Sequence, residues 1–173
     1  MRPWRPKSEV LETTMQYQTR PVIPDRDGYA SPELLISPVN RTVFAYWQRV
    51  RGARSMPARA DIDPADLVAV LPHLILLDVQ REPLDFRYRL IGSLVADYSA
   101  EHTGKWMSSI PHQAPPSRIW SACQTVVETG EPMSTDVPNV GKLRDFKRIE
   151  DIMMPLSEDG RTINMLFVAV DFL

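Results

Sequence analysis

The chain has 173 residues, a formal net charge of −2 and 43% hydrophobic residues. That apolar share excludes global disorder, and the length suits one domain with some terminal excess. A charge so near zero gives no general attraction to nucleic acid or anionic lipid. The single cysteine, Cys123, excludes an intramolecular disulfide and fits a reducing cytoplasm. No apolar run approaches the ~20 residues of a membrane-spanning helix. The opening MRPWRPKSEV lacks the apolar centre of a secretory signal.

Residues 1–38 are polar and proline-spotted, without a sustained period. They are expected to form an N-terminal arm, flexible or draped on a partner, with one short helical turn around Ser8–Gln16. Residues 39–173 are expected to form a single domain. Ser37-Pro38 reads as an N-cap followed by proline at the first helical position. Val43, Phe44, Trp47 and Val50 then share one helical face, and Gly52 reads as the stop. That stripe must be buried, on the chain's own sheet or on a second copy. Arg49, Arg51, Arg54 and Arg59 follow, but Asp61, Asp63 and Asp66 come directly after them. With no aromatic interleaving, the run reads as a solvated helix end rather than a nucleic-acid surface.

Asp63-Pro64-Ala65-Asp66 predicts a second helix start, with Leu67, Val70 and Leu71 apolar and Pro72 ending it. Capping explains the spacing of these acids without a metal. Leu74–Gln80 is apolar and of strand length, as for a strand covered on both faces. After a turn, Phe86–Gly92 alternates, with Phe86, Tyr88 and Leu90 on one face and Arg87 and Arg89 on the other. Gly92 lets the chain leave the sheet. Ser93–Ile110 is irregular and helix-tending. A helix over Ser117–Thr129 puts Ile119, Trp120, Cys123, Val126 and Val127 on one face. Three strands close the chain: Met133–Val137, one within Leu143–Leu156, and Thr162–Phe172, which reads as central. The tight turn Ser157–Gly160 joins the last two. The order implies an α+β fold, an antiparallel sheet with helices packed on one face.

The local words Tyr46-Trp47, Arg51-Gly52, Met56-Pro57-Ala58-Arg59, Asp61-Ile62-Asp63-Pro64, Leu71-Pro72, Arg87-Tyr88-Arg89-Leu90-Ile91-Gly92, Thr103-Gly104, Pro155-Leu156-Ser157 and Asp159-Gly160 sharpen this order. Over about Phe44 to Val170 the chain resembles the PAS_5 type of PAS domain, a bacterial subfamily common in alphaproteobacteria. The resemblance implies a five-stranded antiparallel sheet and a helical flank that can enclose a pocket. It also implies a sensor or pairing role, and a homodimer through a helix before the first strand, here Val43–Val50. Dimer or partner contacts are therefore expected at Val43, Phe44, Trp47 and Val50.

A pocket between sheet and helices would be bordered by Tyr98, Trp106, Trp120, Met154 and Phe167, with Tyr88 or Arg89 supplying a polar group. The plainer reading, ranked ahead of a pocket, is that the same side chains fill the space as core. Arg89 has a rival role in a cross-strand ion pair. No cofactor is named. Cys123 is not in the Asn-Cys-Arg setting of flavin photosensors, and no histidine lies in the long helix to take haem. His73, His102 and His112 have no metal-ligand spacing in the sequence. No catalytic set is recognisable, so no enzyme activity is expected. With no output module after the last strand, the chain is expected to act through a separate signalling protein. Three readings follow: a PAS sensor or adaptor with a small-molecule ligand or protein partner; a ligand-free dimerisation module; and a small α+β enzyme, ranked last.

Overall fold

The computed structural model describes residues 19–21, 34–138 and 148–173; the expected turn at Ser8–Gln16 lies outside them. Among these residues six strands form one antiparallel sheet: β1 (Thr19–Pro21), β2 (Leu74–Arg81), β3 (Leu84–Ile91), β4 (Met133–Pro138), β5 (Arg148–Leu156) and β6 (Met165–Phe172). Their order is β1-β4-β5-β6-β2-β3. The five expected strands are all present, and the last is central, between β5 and β2. The arm adds a sixth, the three-residue β1, which pairs with β4.

Among the described residues three α-helices accompany the sheet: α1 (Pro38–Arg51), α2 (Ser93–Tyr98) and α3 (Arg118–Thr129). Strand side chains alternate between faces, so β5 sorts the helices. Asp151 and Met153 point to the inner face, where Cys123 of α3 lies 3.8 Å from the Met153 sulfur. Glu150, two residues before Ile152 on the alternate row, points to the outer face, where it meets the start of α1. The long connection after the first hairpin thus roofs the inner face, and α1 lies across the outer one.

α1 forms for the reasons legible in its sequence. The Ser37 hydroxyl accepts from the Asn40 N–H at 3.0 Å, Pro38 opens the helix, and Gly52 closes it at φ 58°. Its apolar stripe is spent inside the chain. Val43, Phe44 and Trp47 are fully buried, Phe44 and Trp47 stack at 6.2 Å, and the Trp47 indole N–H donates to the Pro155 carbonyl at 3.1 Å. Val50 packs half-buried against the same core. The expectation that these four residues present an interface to a second copy is therefore corrected for Val43, Phe44 and Trp47, which have no surface left to offer.

Two other expectations change. The helix expected over 63–71 is a pair of 3₁₀ turns, Pro64–Leu67 and Leu71–His73. Asp63 caps the first, accepting from the Ala65 N–H at 2.9 Å. Pro72 follows too soon for a regular helix to propagate. Asp66 turns outward to pair with Arg49 at 3.1 Å, and Asp61 pairs with Arg54 at 2.8 Å, so two of the basic residues are matched locally. In the Ser157–Gly160 turn, the Asp159 carboxylate accepts from the Arg161 and Thr162 N–H groups and the Ser157 hydroxyl. Those bonds hold its pKa well below the usual carboxylate range.

The second change is in register. β2 and β3 slip between Leu76 and Leu77, so Leu77 faces Tyr88 while Leu76 faces Leu90. Arg89 is the extra residue of a β-bulge. Tyr88 and Leu90, which plain alternation puts on one face, therefore lie on opposite faces. Tyr88 looks inward beside Leu77. Leu90 looks outward beside Leu76 and, one strand on, Phe167.

Candidate functional site

The inner face is closed by apolar side chains. Phe86, Met107, Cys123, Val126 and Met153 are fully buried, and Trp120 meets Phe86 edge-on at 5.2 Å. Of the seven pocket residues expected from the sequence, Tyr88, Tyr98 and Trp120 belong to this face. The Tyr88 hydroxyl donates to the Gln113 side-chain oxygen at 2.7 Å, and Tyr98 packs on Phe172 at 4.6 Å. Trp106 sits at the β3 edge, where it bridges Arg87.

The other three are corrected. Met154 and Phe167 are cross-strand partners on the outer face, fully buried on the α1 side. The alternation of β5 and β6 separates them from Tyr88 and Trp120 by the thickness of the sheet. Arg89, at the bulge, is mostly exposed and pairs with Asp78 at 2.7 Å. A solvent-screened pair of that kind contributes little to stability.

Polar groups inside the roofed layer are few and well placed. Asp151 is buried and accepts from the Thr135 N–H at 3.2 Å and from the Thr135 hydroxyl. Burial pushes its pKa up to about 6, against the pull of the Thr135 bonds and of Arg118. Burial also pushes the Cys123 thiol up, with Asp151 adding to the effect, so Cys123 is an unreactive thiol. The Asp151 carboxyl has a pKa above its value of about 3.9 in the unfolded chain. The resulting stabilisation is fully present below about pH 4 and is lost as pH rises through 6. In urea unfolding, the stability of the wild type relative to Asp151→Asn is expected to fall by about 2 kcal/mol between pH 4 and pH 7.5. A difference constant across that range would contradict the assignment.

His102 is also buried here. Its ring lies 5.9 Å from that of Tyr88 and 6.1 Å from that of His112, and neither of its nitrogens has a hydrogen-bond partner. Desolvation, helped by Lys105 and His112, holds its pKa below the ordinary imidazole value. Among the described residues no cluster of three His, Cys, Asp or Glu could hold a metal ion.

The outer face is different. α1 covers its β5–β6 part, and beyond it an apolar cleft of about 230 Å³ opens over β2 and β3. Leu74, Leu76, Leu90 and Phe167 come from the sheet, and Ile62, Leu67 and Leu71 from the turns that follow α1. Leu90 is 44% exposed and Leu71 37%. Sequence pattern could not place Leu90 here, because the bulge at Arg89 that turns it outward has no signature in the alternation. A second, polar cleft at the β3 edge is lined by Asp78, Arg87, Tyr88, Arg89, Thr103 and Gly104. Its groups are largely matched to one another, as in the Asp78–Arg89 pair and the Arg87 contact to the Gly104 carbonyl at 3.3 Å.

A family model described as PAS domain, PAS_5, matches residues 35–169, which take in β2 to β5, the first part of β6, α1, α2 and α3, and both clefts. The chain is a PAS domain of the PAS_5 family. PAS domains are sensor and interaction modules, and the sheet with its helical roof is the α+β fold expected of one. No curated protein and no solved structure matches the chain. Within this PAS domain no helix of the described residues is long and apolar enough to cross a membrane.

Proposed function

We propose that this PAS domain is a cytoplasmic sensor or adaptor in bacterial signal transduction that passes its state by protein–protein contact through the outer cleft, with a second copy of the chain as the occupant. The observation that carries this reading is the solvent-open apolar cleft with Leu90 and Leu71 exposed in it. Leucines clustered in one open cleft, rather than scattered singly, mark a binding surface. A second copy suits it because charges of both signs adjoin it: Arg59 lines the cleft, and Asp63 and Asp66 belong to the turn that supplies its Pro64 and Leu67. A two-fold contact brings a patch against itself, which a rim of one sign would resist and a mixed rim favours. A separate signalling protein would then read the paired state, and a ligand acts only by preferring one state over the other.

Leu90→Asp tests the reading directly. The side chain is partly exposed, so the fold is expected to survive. A carboxylate desolvated in the contact is expected to weaken self-association on the order of a hundredfold in sedimentation velocity. A wild-type monomer at high concentration, or a dimer indifferent to Leu90→Asp, would refute it. One observation supports the second reading, a ligand-free pairing module: Phe86, Met107, Cys123 and Met153 are fully buried in the roofed layer. Native mass spectrometry of the purified protein separates the two, a stoichiometric small-molecule mass favouring the sensor.

A further inference from the structure

We propose that His102 and His112 form a binding site for a divalent first-row transition ion of the nickel or copper class. Nothing in the pairing reading uses these residues. A buried imidazole ordinarily finds a partner. Even the half-buried His73 does so, with Nδ1 3.0 Å from the Val170 carbonyl and 3.4 Å from the Asp171 carboxylate. His102 does not: it is only 9% exposed, and both its nitrogens are orphaned. The nearest ring beside Tyr88's is another imidazole, His112, at 6.1 Å between centroids. With metal–nitrogen distances of 2.0–2.1 Å and each ring centre about 1.1 Å further on, two imidazoles sharing one ion have centroids about 4.5 Å apart when cis and about 6.3 Å when trans, so 6.1 Å matches a near-trans pair, as square-planar ions take. Imidazole is a preferred ligand for these ions.

The fold holds both histidines in place from the same strand. Next to His102, the Gly104 N–H donates to the Tyr88 carbonyl at 2.6 Å, and the Tyr88 N–H donates to the Lys105 carbonyl at 3.0 Å. Next to His112, the Gln113 side chain accepts from the Tyr88 hydroxyl. Ten residues of sequence separate the two imidazoles, which is no recognised spacing, yet β3 brings both ends of the link together. His112 is exposed, so an ion reaches the pair from solvent. Two protein ligands leave coordination positions for water or a further ligand. The ion is therefore exchangeable, and it would tie the link between α2 and α3 into a closed loop over Tyr88.

The test is calorimetric titration of untagged full-length protein with Ni²⁺ or Cu²⁺ alone. One ion per chain is expected, with affinity reduced tenfold or more in both His102→Gln and His112→Ala and unchanged in His73→Gln. Because His112 is exposed, His112→Ala keeps the test valid if His102→Gln fails to fold. Continuous-wave EPR with Cu²⁺ is expected to show imidazole nitrogen coupling that His112→Ala removes. No binding at millimolar metal, or binding that persists unchanged in His112→Ala, would overturn the site.

Discussion

Gly92→Ala is expected to destabilise the protein by about 3 kcal/mol or more. Gly92 has an ordinary φ of −65°, so backbone strain is not the reason. A β-carbon there would stand 2.3 Å from the Pro72 carbonyl oxygen, 2.5 Å from its carbon and 2.6 Å from the Leu71 oxygen. All three are backbone atoms, held by the Gly92 N–H bond to the Leu74 carbonyl at 2.7 Å and by the 3₁₀ turn that leads into β2. No side chain can rotate away, so either the turn or the end of β3 must move. Urea unfolding of Gly92→Ala reads the effect. A loss below about 1 kcal/mol would show that the turn yields freely.

Glu150→Ala is the second large effect, expected at about 3–5 kcal/mol. Glu150 is a 3%-exposed carboxylate on the outer face beneath the start of α1. It accepts from the Ile36 N–H at 2.8 Å, the Ser37 N–H at 2.9 Å and the Asn40 amide at 3.1 Å. The Asn40 amide also reaches the Glu150 carbonyl, and the Ser37 hydroxyl donates to Asp171 at 2.7 Å. The first turn of α1 thus sits on two carboxylates of β5 and β6, where the helix dipole favours negative charge. Removing Glu150 orphans buried donors and frees α1 from its anchor. Loosening α1 exposes Trp47, so a red shift in tryptophan emission is expected with the stability loss. Glu150→Gln, which keeps one acceptor oxygen, is expected to lose less. Equal and small losses in both variants would remove the anchoring role.

Local rules in the sequence read the architecture well. The Ser37 and Ser117 caps, the Gly52 and Gly130 stops, and the strand lengths of β2 and β6 all follow from propensity and pattern. The PAS resemblance carried the sheet as a whole. What failed is what pattern does not encode. Alternation assumes an unbroken register, and the bulge at Arg89 breaks it, sending Leu90 out to make the cleft. A hydrophobic stripe on α1 says that the helix must be covered, and not by what. Here its own sheet covers it, anchored through Glu150 at a sequence distance no local rule spans. The pocket list mixed both faces because Met154 and Phe167 are as apolar as any inner residue. His102 and His112 become neighbours only through the fold of the link between α2 and α3. Gly92 was legible as necessary, but for close approach rather than for turning.

The outer cleft over β2 and β3 as the pairing surface is tested most directly by methyl NMR of selectively labelled protein across a dilution series. The account predicts concentration-dependent shifts at Leu71, Leu76, Leu90 and the 66%-exposed Val68 on the neighbouring turn. Val43 on the buried face of α1 and Val126 on the buried face of α3 should stay unmoved. Shifts concentrated away from the cleft, or none across the series, would contradict it.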